Sequence, residues 1–233
     1  MKLSNGESKG KVAVITGGSS GIGHALCEML VGFGLKVFSL DIAAPKDPIP
    51  RVHYLSADVS DAVSLDSAFA NMREASGKID MFINNAGVIR RGNIFDISED
   101  DFNLMFRVNV KGYWLALKKT MPLMEKGATV VFMSSRHGLY LPADPGIYAV
   151  TKQADVGIAE SFAKGYPRFT VKIACPGSTD TPLGSFQIDP DALVEKKKRM
   201  LSPKELAAKI IALVESDNRW LVFDEKTEEY LMR

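Results

Sequence analysis

A tyrosine and a lysine stand four residues apart at Tyr148 and Lys152, a spacing that puts both side chains on one face of a helix. A free phenol ionises near pH ~10 and is a poor base at neutral pH. A lysine charge beside it favours the ionised form, so the pair could move a proton to or from a substrate oxygen. A second chemical element lies far upstream. Thr16-Gly17-Gly18-Ser19-Ser20-Gly21-Ile22-Gly23 falls between an apolar run, Val12 to Ile15, and a helical pattern beginning at Gly21. Glycines at 17, 21 and 23 let the backbone approach phosphates, and the following helix offers free N–H groups and the positive end of its dipole. The turn reads as the pyrophosphate cradle of a dinucleotide, although its spacing departs from the commoner G-x-G-x-x-G. Asp41 ends the next apolar run, where a carboxylate can accept hydrogen bonds from adenosine ribose hydroxyls and repel a 2′-phosphate. Lys46 lies beyond Pro45, so the reading is NAD, with NADP disfavoured.

These residues need elements to hold them. Short β-branched runs at 12–15, 36–40, 52–56, 79–83, 128–133, 169–174 and 220–223 read as strands. Helical spacing covers 21–33, 61–75, 148–164 and 203–215, and a longer pattern from Ser98 to Met124 is interrupted by Gly112 and Pro122. Strand and helix alternate from end to end, which predicts one α/β domain over residues 1–233: a Rossmann-type doubly wound parallel sheet of about seven strands with helices on both faces. Pro45, Pro48 and Pro50 make 41–51 too proline-rich for the second crossover helix.

The 233 residues are 46% hydrophobic and 24% charged, which excludes a disordered chain. A net charge of +1 supplies no bulk pull toward nucleic acid or an anionic membrane. Residues 1–10 contain no apolar stretch of a signal peptide, and no run approaches the ~18 apolar residues of a membrane span. Cys27 and Cys175 sit among apolar neighbours and read as buried reduced thiols, which predicts a cytoplasmic protein. No spacing suggests a metal site.

In its motifs the sequence resembles the short-chain dehydrogenase/reductase family over nearly its whole length. The glycine turn comes first, then Asn84-Asn85-Ala86-Gly87, Asn109, Ser135 with Tyr148 and Lys152 as Y-x-x-x-K, and finally Pro176-Gly177 with Thr181. The resemblance implies hydride transfer between a nicotinamide and an alcohol or ketone, with Asn109, Ser135, Tyr148 and Lys152 as catalytic residues. Tyr148 would be the acid/base, Ser135 would polarise the substrate oxygen, Lys152 would also hold the nicotinamide ribose, and Asn109 would position a water. It further implies cofactor contacts from Gly17, Ser20, Gly21, Ile22 and Gly23, from Asp41, Asp58 and Val59, from Asn85 and Gly87, and from Pro176, Gly177, Ser178 and Thr181. Ser135 is preferred to Ser134 because its gap to Tyr148 matches the family.

By position relative to those motifs, Arg90, His137 and Leu183 are candidate substrate residues, with Tyr140, Leu141 and Phe186 nearby. Residues 181–203 form a small substrate lid. An arginine at 90 could grip a carboxylate. The tail from Trp220 to Arg233 lacks the Asp-Gly-Gly-like ending usual in the family, which puts the four-subunit assembly in doubt and leaves a homodimer through the long helices. The reading is an oxidoreductase for a small secondary alcohol or ketone. An epimerase or dehydratase that retains its NAD, and a non-catalytic dinucleotide sensor, are the alternatives.

Overall fold

The computed structural model describes residues 1–3, 6–141 and 146–233. Val12–Thr16 (β1) is buried at all five positions, as a strand covered on both faces must be. It pairs in parallel with Lys36–Asp41 (β2) on one side and Ile79–Asn84 (β4) on the other, and β2 pairs with Val52–Ser56 (β3). Beyond β4 the sheet continues in parallel through Met124–Met133 (β5), Thr170–Cys175 (β6) and Trp220–Asp224 (β7). The order β3-β2-β1-β4-β5-β6-β7-β8 reverses direction between β1 and β4. At such a switch point the crossover helices diverge and leave a crevice above the carboxyl ends of the strands.

The sheet is the expected doubly wound α/β type, but it has eight strands. Glu229–Met232 (β8) runs antiparallel to β7 and makes a hairpin. Asp224 turns the chain by accepting the N–H groups of Lys226 and Thr227. The charged run Glu225 to Glu229 concealed this strand, because an edge strand needs no apolar pattern on both faces.

Gly21–Gly32 (α1) and Pro203–Glu215 (α8) cover one face, packing Leu26 and Leu30 with Leu206, Ile210 and Leu213 over Ile15 and Ile83. Ala62–Ser76 (α2), Tyr113–Thr120 (α4) and Ile147–Gly165 (α5) cover the other, around Leu65, Phe69, Phe132 and Phe162. No helix joins β2 to β3, in keeping with the three prolines between them. The long pattern resolves into Glu99–Met105 (α3), a π-helical stretch Phe106–Gly112, α4, and a 3-10 turn at Met121–Leu123 that contains Pro122. Gly112 permits the close pass of this helix: a Cβ there would lie 2.9 Å from Val59 Cγ2.

Ser202 starts α8 with a reciprocal cap. Its hydroxyl accepts the Glu205 N–H at 3.2 Å, and the Glu205 carboxylate accepts the Ser202 N–H at 2.8 Å. Ser202→Ala should therefore cost about 1 kcal/mol, read as a lower urea midpoint at unchanged slope.

Candidate active site

The crevice is built from the turn after β1. Gly17 and Gly21 take φ of 69° and 55°, left-handed values that glycine adopts without strain. A Cβ on Gly23 would collide with the Gly17 carbonyl oxygen and lie 2.7 Å from Asn85 Nδ2. Asn85 locks the turn by donating from Nδ2 to the carbonyls of Thr16 and Gly17 at 2.9 and 3.0 Å. Thr16 Oγ1 in turn accepts the N–H groups of Asn85 and Ala86. Ser20 begins α1 without a side-chain cap, and the first turn carries no acid. Asp61 and Ser202 do cap α2 and α8. The uncapped first turn of α1 is thus suited to an external anion.

The cleft has a volume of about 490 Å3. At one end lie Asp41, Ile42, Asp58, Val59 and Ser60; at the other lie Ser135, Tyr148 and Lys152. Asp41 is held by the N–H groups of Ser19 (3.0 Å) and Ala43 (3.2 Å). The loop after β5 brings Ser135 to the opening turn of α5, which carries Tyr148 and Lys152 on one face. Lys152 Nζ sits 5.7 Å from the Tyr148 ring centre and 2.8 Å from Asp155 Oδ2.

Gly17, Ser20, Gly21, Ile22, Asn85, Gly87, Pro176, Thr181 and Leu183 also line the cleft. Six residues expected at the site do not line the cleft. Gly23 lies behind the turn. Asn109, in the π-helical stretch, is buried. Its Oδ1 accepts the Val88 N–H, and its Nδ2 donates to the Val88 carbonyl and Thr151 Oγ1. It thereby ties the loop after β4 to α5. Gly177 lies beneath the Phe223 ring and donates its N–H to Tyr230 Oη at 3.1 Å. Ser178 opens instead on a polar recess with Arg136 and Lys196. Arg90 commits its guanidinium to Asp101 at 2.9 Å and to the Phe186 ring. His137 meets the Tyr148 ring edge-on with centres 6.2 Å apart, and burial draws its imidazole below its ordinary range. Tyr140, Leu141 and Phe186 are exposed.

The electrostatics of the pair are opposed. Burial lifts the Tyr148 phenol, Lys152 draws it down, and Asp155 pushes it up again; Ser135 and Arg91 also draw it down, and the net direction is upward. Burial disfavours the Lys152 ammonium, but Asp155 and Tyr148 outweigh it and raise the group above its ordinary value. Burial pushes both Cys27 and Cys175 up to about 12, so neither is a thiolate at neutral pH. Among the described residues, no His/Cys/Asp/Glu group could hold a metal ion, and no helix is long and apolar enough to cross a membrane.

Three features went unread in the sequence. Asp155 is an acid three residues past Lys152 in an otherwise core-facing stretch. Tyr230 and Phe223 bring the C-terminal hairpin under the Pro176–Gly177 loop. Arg91, next to Arg90, donates to the carbonyls of Phe186 (2.6 Å) and Gly184 (3.1 Å), pinning the junction of the short helices Pro182–Ser185 (α6) and Pro190–Lys197 (α7). Arg91→Ala should speed amide hydrogen exchange across residues 184–188 by about tenfold, the equivalent of about 1.4 kcal/mol of local stability, with the sheet unaffected.

A cleft with a glycine-backed anion cradle, a carboxylate at one end and a serine–tyrosine–lysine group at the other fits a dinucleotide lying across the strand ends. Comparison with known proteins agrees. The family described as short chain dehydrogenase matches residues 11–190. Oxidoreductase UcpA of Salmonella typhimurium is 34% identical over 222 residues, covering 87% of this chain and 84% of its own. The aldohexose dehydrogenase of Thermoplasma acidophilum superposes with a TM-score of 0.81 at 27% identity, over 89% of this chain and 88% of that one. An alcohol dehydrogenase from Thermococcus sibiricus, solved with 5-hydroxy-NADP, superposes at 0.79 with 27% identity, over 91% and 94%. On its motifs, its fold and these relatives, the chain belongs to the short-chain dehydrogenase family of oxidoreductases.

Proposed function

We propose that the protein is an NAD-dependent oxidoreductase interconverting a small secondary alcohol and its ketone, with Tyr148 as the acid/base. The observation that carries this reading is the placement of Ser135, Tyr148 and Lys152 at one end of a cleft whose other end holds Asp41. Gly17, Ser20, Gly21 and Ile22 would hold the pyrophosphate, Asp41 the adenosine ribose, Asp58 and Val59 the adenine, and Lys152 the nicotinamide ribose. When bound, the nicotinamide supplies the hydride acceptor for oxidation or the donor for reduction. The Ser135 hydroxyl donates a hydrogen bond to the substrate oxygen and fixes it beside Tyr148. The Tyr148 oxygen takes the hydroxyl proton in oxidation and returns one to the carbonyl oxygen in reduction. Leu183, which lines the cleft, would close the substrate side.

The choice of NAD rests on Asp41, since a relative of this fold was solved with an NADP derivative. A 2′-phosphate beside that carboxylate sets like charges together in a half-enclosed site. In a nicotinamide fluorescence titration, NADH should bind at least about tenfold more tightly than NADPH, a gap of about 1.4 kcal/mol. Asp41→Ser should narrow that gap. A wild-type preference for NADPH would overturn the assignment of NAD.

The proposal includes a homodimer and a cytoplasmic setting. The first is supported by a groove lined by Phe106 and Val110 of the π-helical stretch, Trp114 of α4 and Ile158 of α5, with Trp114 47% exposed. The second is supported by two buried free cysteines.

A further inference from the structure

Asp155 lies at the back of the site, fully buried on α5, with one carboxylate oxygen on the Lys152 ammonium and the other without a hydrogen-bond partner. A carboxylate so placed costs desolvation, which an ion pair offsets only with good geometry, and an apolar residue would fill the same space without that cost. We propose that Asp155 is a positioning residue for proton transfer, anchoring Lys152 in the cleft wall and cancelling much of the lysine's charge where Tyr148 feels it. This rests on the assignment of Tyr148 as the acid/base.

The groups around the pair are few. On α5 they are Lys152 and Tyr148. α4 contributes Tyr113, whose buried phenol is pushed well up by burial and by Asp155. β6 contributes Cys175, a neutral thiol. The loop after β5 contributes Ser134, which donates to the Lys152 carbonyl, Ser135, and His137, whose ring meets Tyr148 edge-on; Arg91 faces Tyr148 from the loop after β4. Asp155 is the acid that opposes the tyrosinate among the named influences on Tyr148. Its consequence is directional. Ketone reduction needs Tyr148 protonated and alcohol oxidation needs it ionised, so Asp155, adding to the effect of burial, favours the form that serves reduction.

The test follows the Tyr148 side chain itself, without substrate. In cofactor-free protein labelled with 13C at the tyrosine Cζ, the Tyr148 resonance is assigned by its loss in Tyr148→Phe, and Tyr113 by Tyr113→Phe. Asp155→Asn should move the Tyr148 midpoint down by about one pH unit or more. Lys152→Met, which leaves Asp155 unopposed, should move it up. Asp155→Leu serves in place of Asp155→Asn if the latter does not fold, with the same expected direction. A Tyr148 midpoint unchanged when Asp155 is neutralised would overturn the proposal. That failure is distinct from failure of the functional reading, which would show instead as turnover surviving in Tyr148→Phe.

Discussion

Tyr148→Phe should lower turnover by about 10³-fold or more in both directions while leaving NADH affinity within about twofold, because only proton transfer is lost. The phenyl ring keeps the packing of the tyrosine, including its edge contact with His137 and its place over Lys152. The hydroxyl is the atom removed. A general acid or base typically contributes 10²–10⁴-fold, and a substrate oxygen held by Ser135 with no proton partner has no efficient substitute within the cleft. Ser135→Ala should be milder, about 10²-fold in kcat, since a single polarising donor is lost. Stopped assays at 340 nm with wild type and variant in parallel read both effects. Retained turnover in Tyr148→Phe would contradict the role given to this residue.

The second large effect concerns the cradle. Gly23→Ala should weaken NADH binding by about 100-fold or more, or about 2.7 kcal/mol, and also destabilise the fold. The new methyl would overlap the Gly17 carbonyl oxygen and crowd Asn85 Nδ2. Neither obstacle is the loose end of a flexible side chain. One is backbone at a left-handed turn, and the other is an amide fixed by two hydrogen bonds to the same turn. The collision must therefore open the turn that would receive the pyrophosphate. Gly32→Ala, at the far end of the same helix with open space around it, is the control and should leave binding unchanged. Fluorescence titration and thermal melts of the two variants separate the effects. Unimpaired binding in Gly23→Ala would mean that the turn does not form the nucleotide cradle.

Much of this was legible in the sequence, for identifiable reasons. Buried parallel strands must be apolar on both faces, so β1 and β4 announced themselves. Glycine is demanded wherever backbone approaches backbone, so the turn after β1 was marked at 17, 21 and 23. Helical spacing alone put Tyr148 and Lys152 together. What the sequence concealed depends on three-dimensional contact. Gly23 and Gly177 share the residue type of their neighbours but serve packing, against Gly17 and under Phe223. Arg90 and Arg91 are indistinguishable in sequence. One turns to Asp101 and the other to the Phe186 and Gly184 carbonyls, because successive side chains in a loop diverge. The β8 hairpin sits at a sheet edge, where charge is tolerated and no alternation is imposed. Its Tyr230 then reaches back to Gly177, so the tail that departs from the family's usual ending supports the Pro176–Gly177 loop beside the cleft. Asp155 was visible as an acid at helical spacing from Lys152, but burial gives it meaning, and burial is a property of the fold.

The burial of Asp155 also carries a stability signature. Desolvation raises its carboxyl from 3.8 to about 6 against the pull of Lys152. The folded state then holds the proton more tightly than the unfolded chain. The group's contribution to stability is full below the unfolded value and is lost as pH rises through about 6. Asp155→Asn should lack that slope, so the unfolding free energy of wild type minus that of the variant, measured by urea titration, should fall as pH rises between those values.

The proposed function requires one cleft to join a nucleotide cradle to a proton-transfer group. Its most direct test is a crystal structure of the protein grown with NADH. The adenosine ribose should lie on Asp41, the pyrophosphate over Gly17 to Ile22, and the nicotinamide ring beside Tyr148 and Lys152. A nucleotide bound elsewhere, or bound with its nicotinamide turned away from Tyr148, would contradict it.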